Sequence, residues 1–124
     1  MVTIEATNHT KYAFVGVDAT LDLGPKRILN FVGQLDDYRL SKLQEFENAI
    51  IDSKINASIW FGHYPSSSIF LPGLLPGLRH VAANGIAYLC GHFHTFGGIV
   101  PQMYSHHHSG MLELELADWK HNRM

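Results

Sequence analysis

Three short apolar runs, each ending at a glycine or an aspartate, are the strongest pattern in the chain. They lie at residues 12–17, 57–61 and 86–90 and consist mainly of aliphatic and aromatic side chains. Parallel strands covered on both faces have this composition, because neither face meets water. The runs therefore predict three buried strands, with exposed apolar area wherever a cover is missing.

A helical pattern separates the first two runs. Apolar side chains recur there every three or four residues, with charged residues between them. They are Leu40, Leu43, Phe46, Ala49 and Ile50. Asp36 or Asp37 precedes them, and an aspartate at that position caps the free N–H groups of a helix. The sequence predicts an amphipathic helix of about four turns that begins at this aspartate.

The remaining elements give weaker signals. Residues 64–76 are rich in proline, serine and glycine and predict a long loop, and residues 78–84 predict a short helix. Residues 111–116 alternate apolar and acidic side chains, which is the period of a half-buried strand. Residues 95–104 favour a strand interrupted by glycine and proline. Strands that alternate with helices indicate an α/β fold.

The composition narrows the classes of function. The chain has 124 residues, of which 46% are hydrophobic and 16% are charged, and its formal net charge is -2. No basic run is present, so nucleic acid is not an expected partner. A charged fraction below the roughly 25% of an ordinary domain predicts that part of the surface is normally covered. Cys90 lies inside the third apolar run and is expected to fill core space.

Two of the nine histidines follow buried strands, each after a glycine: His63 after the second run and His92 after the third. Ligands bind at the carboxyl ends of strands in open α/β sheets, so these imidazoles are expected to face one cleft. His94 follows two residues later, on the same side of an extended segment or diverging on a bent loop. Imidazole suits zinc, iron and manganese. The spacing alone leaves metal ligation and ordinary core or loop histidines as equal alternatives.

Both histidine segments resemble signatures of the calcineurin-like metallophosphoesterases. Residues 62–65 resemble their Gly-His-x-Pro motif, and residues 91–94 resemble their Gly-His-x-His motif. The order of the two motifs and the strand, loop and helix before them also fit that superfamily. Longer strings resemble its transmembrane protein 62 branch, so that the likeness covers nearly the whole chain. These strings are 17–20, 24–27, 60–63, 87–92, 112–115 and 118–120.

The resemblance implies a fold and a ligand set. The fold is a partial four-layer α/β sandwich of the calcineurin-like metallophosphoesterase type, with mixed sheets, flanking helices and metals between the sheets. His63 and His92 would bind one ion and His94 the other, the ions being manganese, iron or zinc. The family also needs an Asp-x-His, a bridging aspartate and a Gly-Asn-His-Asp or Glu motif earlier in the chain. Residues 1–124 lack these and are interpreted as the C-terminal portion of one domain, without its N-terminal half.

The implied function is part of a metal-dependent phosphoesterase domain that hydrolyses a phosphoester through a two-metal centre. An incomplete centre predicts that this segment alone is inactive, and no residue is assigned a catalytic role. The alternative is a non-catalytic phosphoesterase-like module, used for binding or as an extramembrane domain of a membrane protein. The expected partners are a phosphoester and the missing N-terminal half.

The resemblance to that branch also implies membrane spans elsewhere in a longer parent protein. No stretch of this chain reaches the roughly 18 consecutive apolar residues that cross a bilayer, and no signal peptide is visible. The segment is therefore expected to be soluble itself and membrane-associated through the parent.

Other polar residues have two readings each. Asp18 ends a strand and either reaches the cleft or caps a turn. The serines at 66–68 either line a substrate pocket or form a plain flexible loop. The histidines at 106–108 lie between turn signals and are interpreted as a turn in preference to a metal tract.

Overall fold

The computed structural model describes residues 1–21, 33–70, 84–92, 104–106 and 111–116. These ranges contain strands, one long helix and one short 3₁₀ helix. The strands are β1 (Val2–Glu5), β2 (Lys11–Val17), β3 (Thr20–Leu21), β4 (Gly33–Gln34), β5 (Ala57–Gly62), β6 (Ile69–Phe70), β7 (Gly85–Cys90), β8 (Tyr104–His106) and β9 (Leu112–Glu115). The long helix is α1 (Asp37–Asp52), and the 3₁₀ helix is Ser66–Ser68.

Within the described ranges the strands form two sheets. The larger has six strands in the order β1-β2-β5-β7-β9-β8, and the smaller has the order β3-β4-β6. The four central strands of the larger sheet, β2, β5, β7 and β9, are parallel, and β1 and β8 are antiparallel edges. The predicted α/β class, the three central strands and the strand near residue 112 are confirmed. The full four-layer sandwich stays a prediction.

Helix α1 connects the parallel strands β2 and β5, as parallel neighbours require. Its N-cap is Asp36, whose side chain accepts a hydrogen bond from the Arg39 backbone N–H at 2.8 Å. Leu43 and Ile50 are buried on the apolar stripe of the helix. The predicted helix and its cap are confirmed. In the described part of the chain, no helix is both long and apolar enough to cross a membrane.

The larger sheet is buried more completely on one face than on the other. Val15, Trp60, Tyr88 and Glu113 are aligned across four neighbouring strands. The first three are 0% exposed and Glu113 is 7% exposed. On the opposite face, Phe61 is 46% exposed. The strands that were predicted to be covered on both faces are therefore fully covered on one.

Three local predictions are corrected by the structure. The predicted loop at 64–76 contains both the 3₁₀ helix and β6 in its first half, because Ser66 finds a buried partner described below. Strand β9 has the predicted alternation, yet the residue it buries most deeply is acidic, Glu113. His106 lies in β8, paired with Leu112, and not in a turn. Other sequence predictions, including the helix at 78–83, the strand at 95–103 and residues 107–108, lie outside the described residues.

The Asp36 cap predicts a measurable contribution to stability. Replacing Asp36 with alanine leaves a helix N–H without its acceptor, and such caps contribute about 1 kcal/mol. We therefore expect Asp36→Ala to lower the free energy of unfolding in urea by about 1 kcal/mol. Glu45→Ala is the control, because Glu45 forms only an exposed ion pair with Lys42 at 2.6 Å. Exposed pairs contribute a few tenths of a kcal/mol. Equal losses in the two variants would contradict the capping role.

Candidate metal centre

Two adjacent parallel strands carry His63 and His92 to one place. His63 follows the last residue of β5 and His92 follows β7 by two residues, and these strands pair directly. The pairing continues past the strand ends, where the Gly91 N–H donates to the His63 carbonyl at 3.2 Å. The ring nitrogens His63 Nε2 and His92 Nδ1 are 3.1 Å apart. The two imidazoles therefore present their nitrogens at a single point.

The spacing of the two nitrogens fits a shared metal ion. Nitrogen ligands bind an ion at roughly 2.0–2.1 Å, and at tetrahedral or octahedral angles two of them lie about 2.9–3.4 Å apart. The observed 3.1 Å falls inside this range. It is also the length of a hydrogen bond between the two rings.

Tyr64 packs its ring against both imidazoles. Its centroid lies 4.6 Å from that of His92 and 4.9 Å from that of His63. Tyr64 is 6% exposed, whereas His63 is exposed. Gly33 makes room for this ring, since a Cβ built on Gly33 would come within 2.5 Å of Tyr64 Cδ2. The buried Tyr64 ring therefore supports both imidazoles through direct ring contacts.

Tyr88 fixes the backbone just after His63. Its hydroxyl donates to the Tyr64 carbonyl at 2.6 Å, in a buried position. Burial raises the pKa of this phenol above its ordinary value, so Tyr88 stays a donor at any working pH. Gly62 allows the approach, because a Cβ there would lie 2.6 Å from the Tyr88 hydroxyl and 3.1 Å from the Val17 carbonyl. The glycine of the first motif therefore has a steric reason.

Glu113 anchors the same segment further along. Its carboxylate accepts from the Ser66 backbone N–H at 3.1 Å and from the Ser66 hydroxyl at 2.5 Å. Ser66 is 1% exposed and begins the 3₁₀ helix. A substrate-lining role for the serines at 66–68 stays a prediction. The Cys90 thiol lies 3.8 Å from the Glu113 carboxylate. Burial, helped by the nearby charges of Glu113 and Glu115, raises the pKa of Cys90 to about 12. Cys90 is thus a neutral thiol at neutral pH and not a thiolate ligand.

Two other residues were singled out by the sequence. Asp18 is exposed and accepts a hydrogen bond from the Arg39 guanidinium at 3.1 Å. It follows Val17, the register partner of Gly62, which immediately precedes His63. His94 lies outside the described residues. Among the residues that are described, no three His, Cys, Asp or Glu side chains converge closely enough to hold an ion. The described part of the centre is the His63–His92 pair.

Sequence reasoning missed the residues that support this pair. Tyr64 stood at the variable position of its motif, Tyr88 stood in a run interpreted as plain core, and Glu113 stood on the polar phase of an alternating strand. One signal was available for Tyr88, because a buried tyrosine needs a partner for its hydroxyl. Nothing in the spacing of Ser66 and Glu113 linked two residues so far apart in the chain.

Two known proteins are similar in sequence to this chain over most of its length. Over 120 residues the chain is 47% identical to Transmembrane protein 62 of Mus musculus, a match that covers 97% of the chain and 18% of that protein. Over 123 residues it is 35% identical to "Putative metallophosphoesterase At3g03305" of Arabidopsis thaliana, covering 94% of the chain and 16% of that protein. The chain thus spans less than a fifth of each relative.

No family model matches the chain, and no solved structure matches it. The two relatives nevertheless match it from near one end to the other, across both Gly-His motifs. The chain is a homologue of one segment of Transmembrane protein 62, and the second likeness agrees with the resemblance to the calcineurin-like metallophosphoesterases that those motifs carry.

Proposed function

We propose that this chain is the histidine-bearing part of a metallophosphoesterase domain, and that His63 and His92 bind one divalent metal ion. The observation that carries the proposal is the 3.1 Å separation of two imidazole nitrogens at the carboxyl ends of adjacent parallel strands. The likeness to an Arabidopsis thaliana protein described as a putative metallophosphoesterase supports the reaction class. By the family resemblance, His94 would bind a second ion, and the domain would complete a four-layer α/β sandwich.

The chain's own residues would bind and orient the ion. His63 and His92 supply neutral nitrogen ligands, and the Tyr64 ring limits how far their imidazoles can rotate. Manganese, iron and zinc all accept such ligands. When bound, ions of this kind supply Lewis-acid polarisation of a phosphoester. We therefore propose a phosphoester as the substrate class. Nucleic acid is not a proposed partner.

A complete centre needs ligands from outside this chain. Two divalent ions about 4 Å apart repel each other by roughly 16 kcal/mol at an effective dielectric of 20. Carboxylates offset such repulsion, and neutral imidazoles do not. We propose that the carboxylates come from an N-terminal half of the same domain in a longer protein. The membrane spans would lie elsewhere in that longer protein. The support is that each relative is more than five times as long as the matched region.

Metal binding by the histidine pair is the first test. We expect the chain to bind one Zn²⁺ or Co²⁺ in calorimetric titration, with weak affinity because few ligands are present. His63→Ala and His92→Ala should each lower the affinity at least about tenfold. The matched control is His9→Asn, since the exposed His9 ring bonds Glu5 at 3.0 Å and its φ of 65° suits asparagine.

Three results of this titration would differ in meaning. Loss of binding in both motif variants, with the control unchanged, supports the pair as ligands. Equal binding in wild type and both motif variants would place the ion on other histidines of the chain and contradict the proposal. No binding at all would contradict the proposed metal site. It would favour the non-catalytic module, a domain that resembles a phosphoesterase without its metal chemistry.

Turnover is the second test. We expect this chain alone to show no metal-dependent hydrolysis of p-nitrophenyl phosphate or of a bis-ester, because it lacks the ligands and any group assigned as general acid. General acid–base catalysis alone typically contributes 10²–10⁴-fold. The longer protein, assayed in parallel with manganese, zinc or iron, should hydrolyse at least one of the two esters.

The matched control for that assay is His92→Ala in the longer protein, which should abolish its turnover. Metal-dependent turnover by the isolated chain, lost in His92→Ala, would show that the described residues suffice. An inactive longer protein with all its ligands present would support the binding-module alternative.

A further inference from the structure

We infer that Glu113 is a positioning residue for the metal centre, holding the segment that carries His63 in the place where it meets His92. This inference rests on the proposed function for its effect on metal affinity. Its structural part concerns only contacts between described residues.

The Glu113 side chain is buried and doubly hydrogen-bonded. It is 7% exposed, and a polar group at that depth is unfavourable unless hydrogen bonds replace its water. Ser66 supplies two of these, through its N–H at 3.1 Å and its hydroxyl at 2.5 Å. Two bonds between the same two residues also fix their relative geometry. The pair therefore ties β9 firmly to the 3₁₀ helix.

The position of Ser66 links these bonds to the ligand. Ser66 lies three residues after His63, so the Glu113 contacts fix the far end of a very short segment. The near end is fixed by the Tyr88 hydroxyl on the Tyr64 carbonyl. Tyr88 and Glu113 are direct partners on adjacent strands. Tyr88 and Glu113, neighbours in the sheet, thus hold residues 64–66 at both ends.

These contacts at both ends of residues 64–66 control the position of the His63 ring. The His63 imidazole is exposed, and its ring contacts Tyr64 and His92. These ring contacts hold only while the backbone of the segment keeps its position. If Glu113 releases Ser66, the segment gains freedom and the two nitrogens no longer stay 3.1 Å apart. A metal ion binds more tightly to ligands that are already held at that spacing, so loosening the segment reduces affinity.

The test uses two readouts on the whole chain. Glu113→Gln keeps the side-chain volume and one acceptor, and Ser66→Ala removes the hydroxyl from the other end. The first readout is Co²⁺ affinity and visible absorption at a temperature where circular dichroism shows each variant folded. The second is the NMR Overhauser contact between the His63 and His92 rings in the metal-free chain. Glu45→Gln on the exposed face of α1 is the matched control.

We expect Glu113→Gln and Ser66→Ala each to lower Co²⁺ affinity about tenfold and to weaken the inter-ring contact. The double variant should bind Co²⁺ no more weakly than the weaker-binding of the two single variants, because both changes remove the same interaction between Glu113 and Ser66. The control should match the wild type in both readouts. A merely structural role would lower the melting temperature while leaving affinity and spectrum of the folded chain unchanged.

Two outcomes separate this inference from the proposed function. Folded Glu113→Gln and Ser66→Ala variants with wild-type affinity and inter-ring contact would overturn the inference while leaving the metal site in place. A wild-type chain that binds no Co²⁺ would overturn the proposed function. In that case the metal-free NMR readout still decides whether Glu113 positions His63.

Discussion

The hydrogen bond from the Tyr88 hydroxyl to the Tyr64 carbonyl is the contact on which the site depends. It is buried and 2.6 Å long, and it passes beneath Gly62, where a side chain would collide with it. The bond holds the Tyr64 carbonyl two residues after β5 ends, next to His63, whose ring meets that of His92 beyond β7. The geometry of the histidine pair is thus set from the core of the sheet, and the motif glycine is part of the same constraint.

The topology of the sheet brings the two histidines together without other elements. Parallel strands end at the same edge of a sheet, so two of them are sufficient to bring two imidazoles together. Among the described residues no third potential ligand joins the two histidines; the Glu113 carboxylate accepts from Ser66 and the Asp18 carboxylate from Arg39. Under the proposed function, the pair would supply neutral nitrogen ligands, and the carboxylates of a two-ion centre would come from another part of a longer protein.

Much of the fold was predictable from the sequence because its signals are local. Apolar runs gave the central strands, and the spacing from Leu40 to Ile50 gave the helix with its Asp36 cap. The two Gly-His pairs indicated where the ligands would meet. What could not be predicted depends on contacts between distant residues: Glu113 is 47 positions from Ser66, whose N–H and hydroxyl both donate to its buried carboxylate. An alternating pattern cannot show which of its phases will be satisfied in the core.

A double-mutant cycle on Gly62 and Tyr88 tests the central constraint most directly, with the free energy of unfolding measured in urea. Gly62→Ala forces a methyl group against the hydroxyl and should destabilise the chain by about 1–3 kcal/mol. Tyr88→Phe removes the donor from a buried carbonyl and should cost a similar amount. Because phenylalanine also removes the atom that the methyl group meets, the double variant should be more stable than the sum predicts, by about 1 kcal/mol. Simple additivity would contradict the account, since it would mean that glycine and tyrosine act independently.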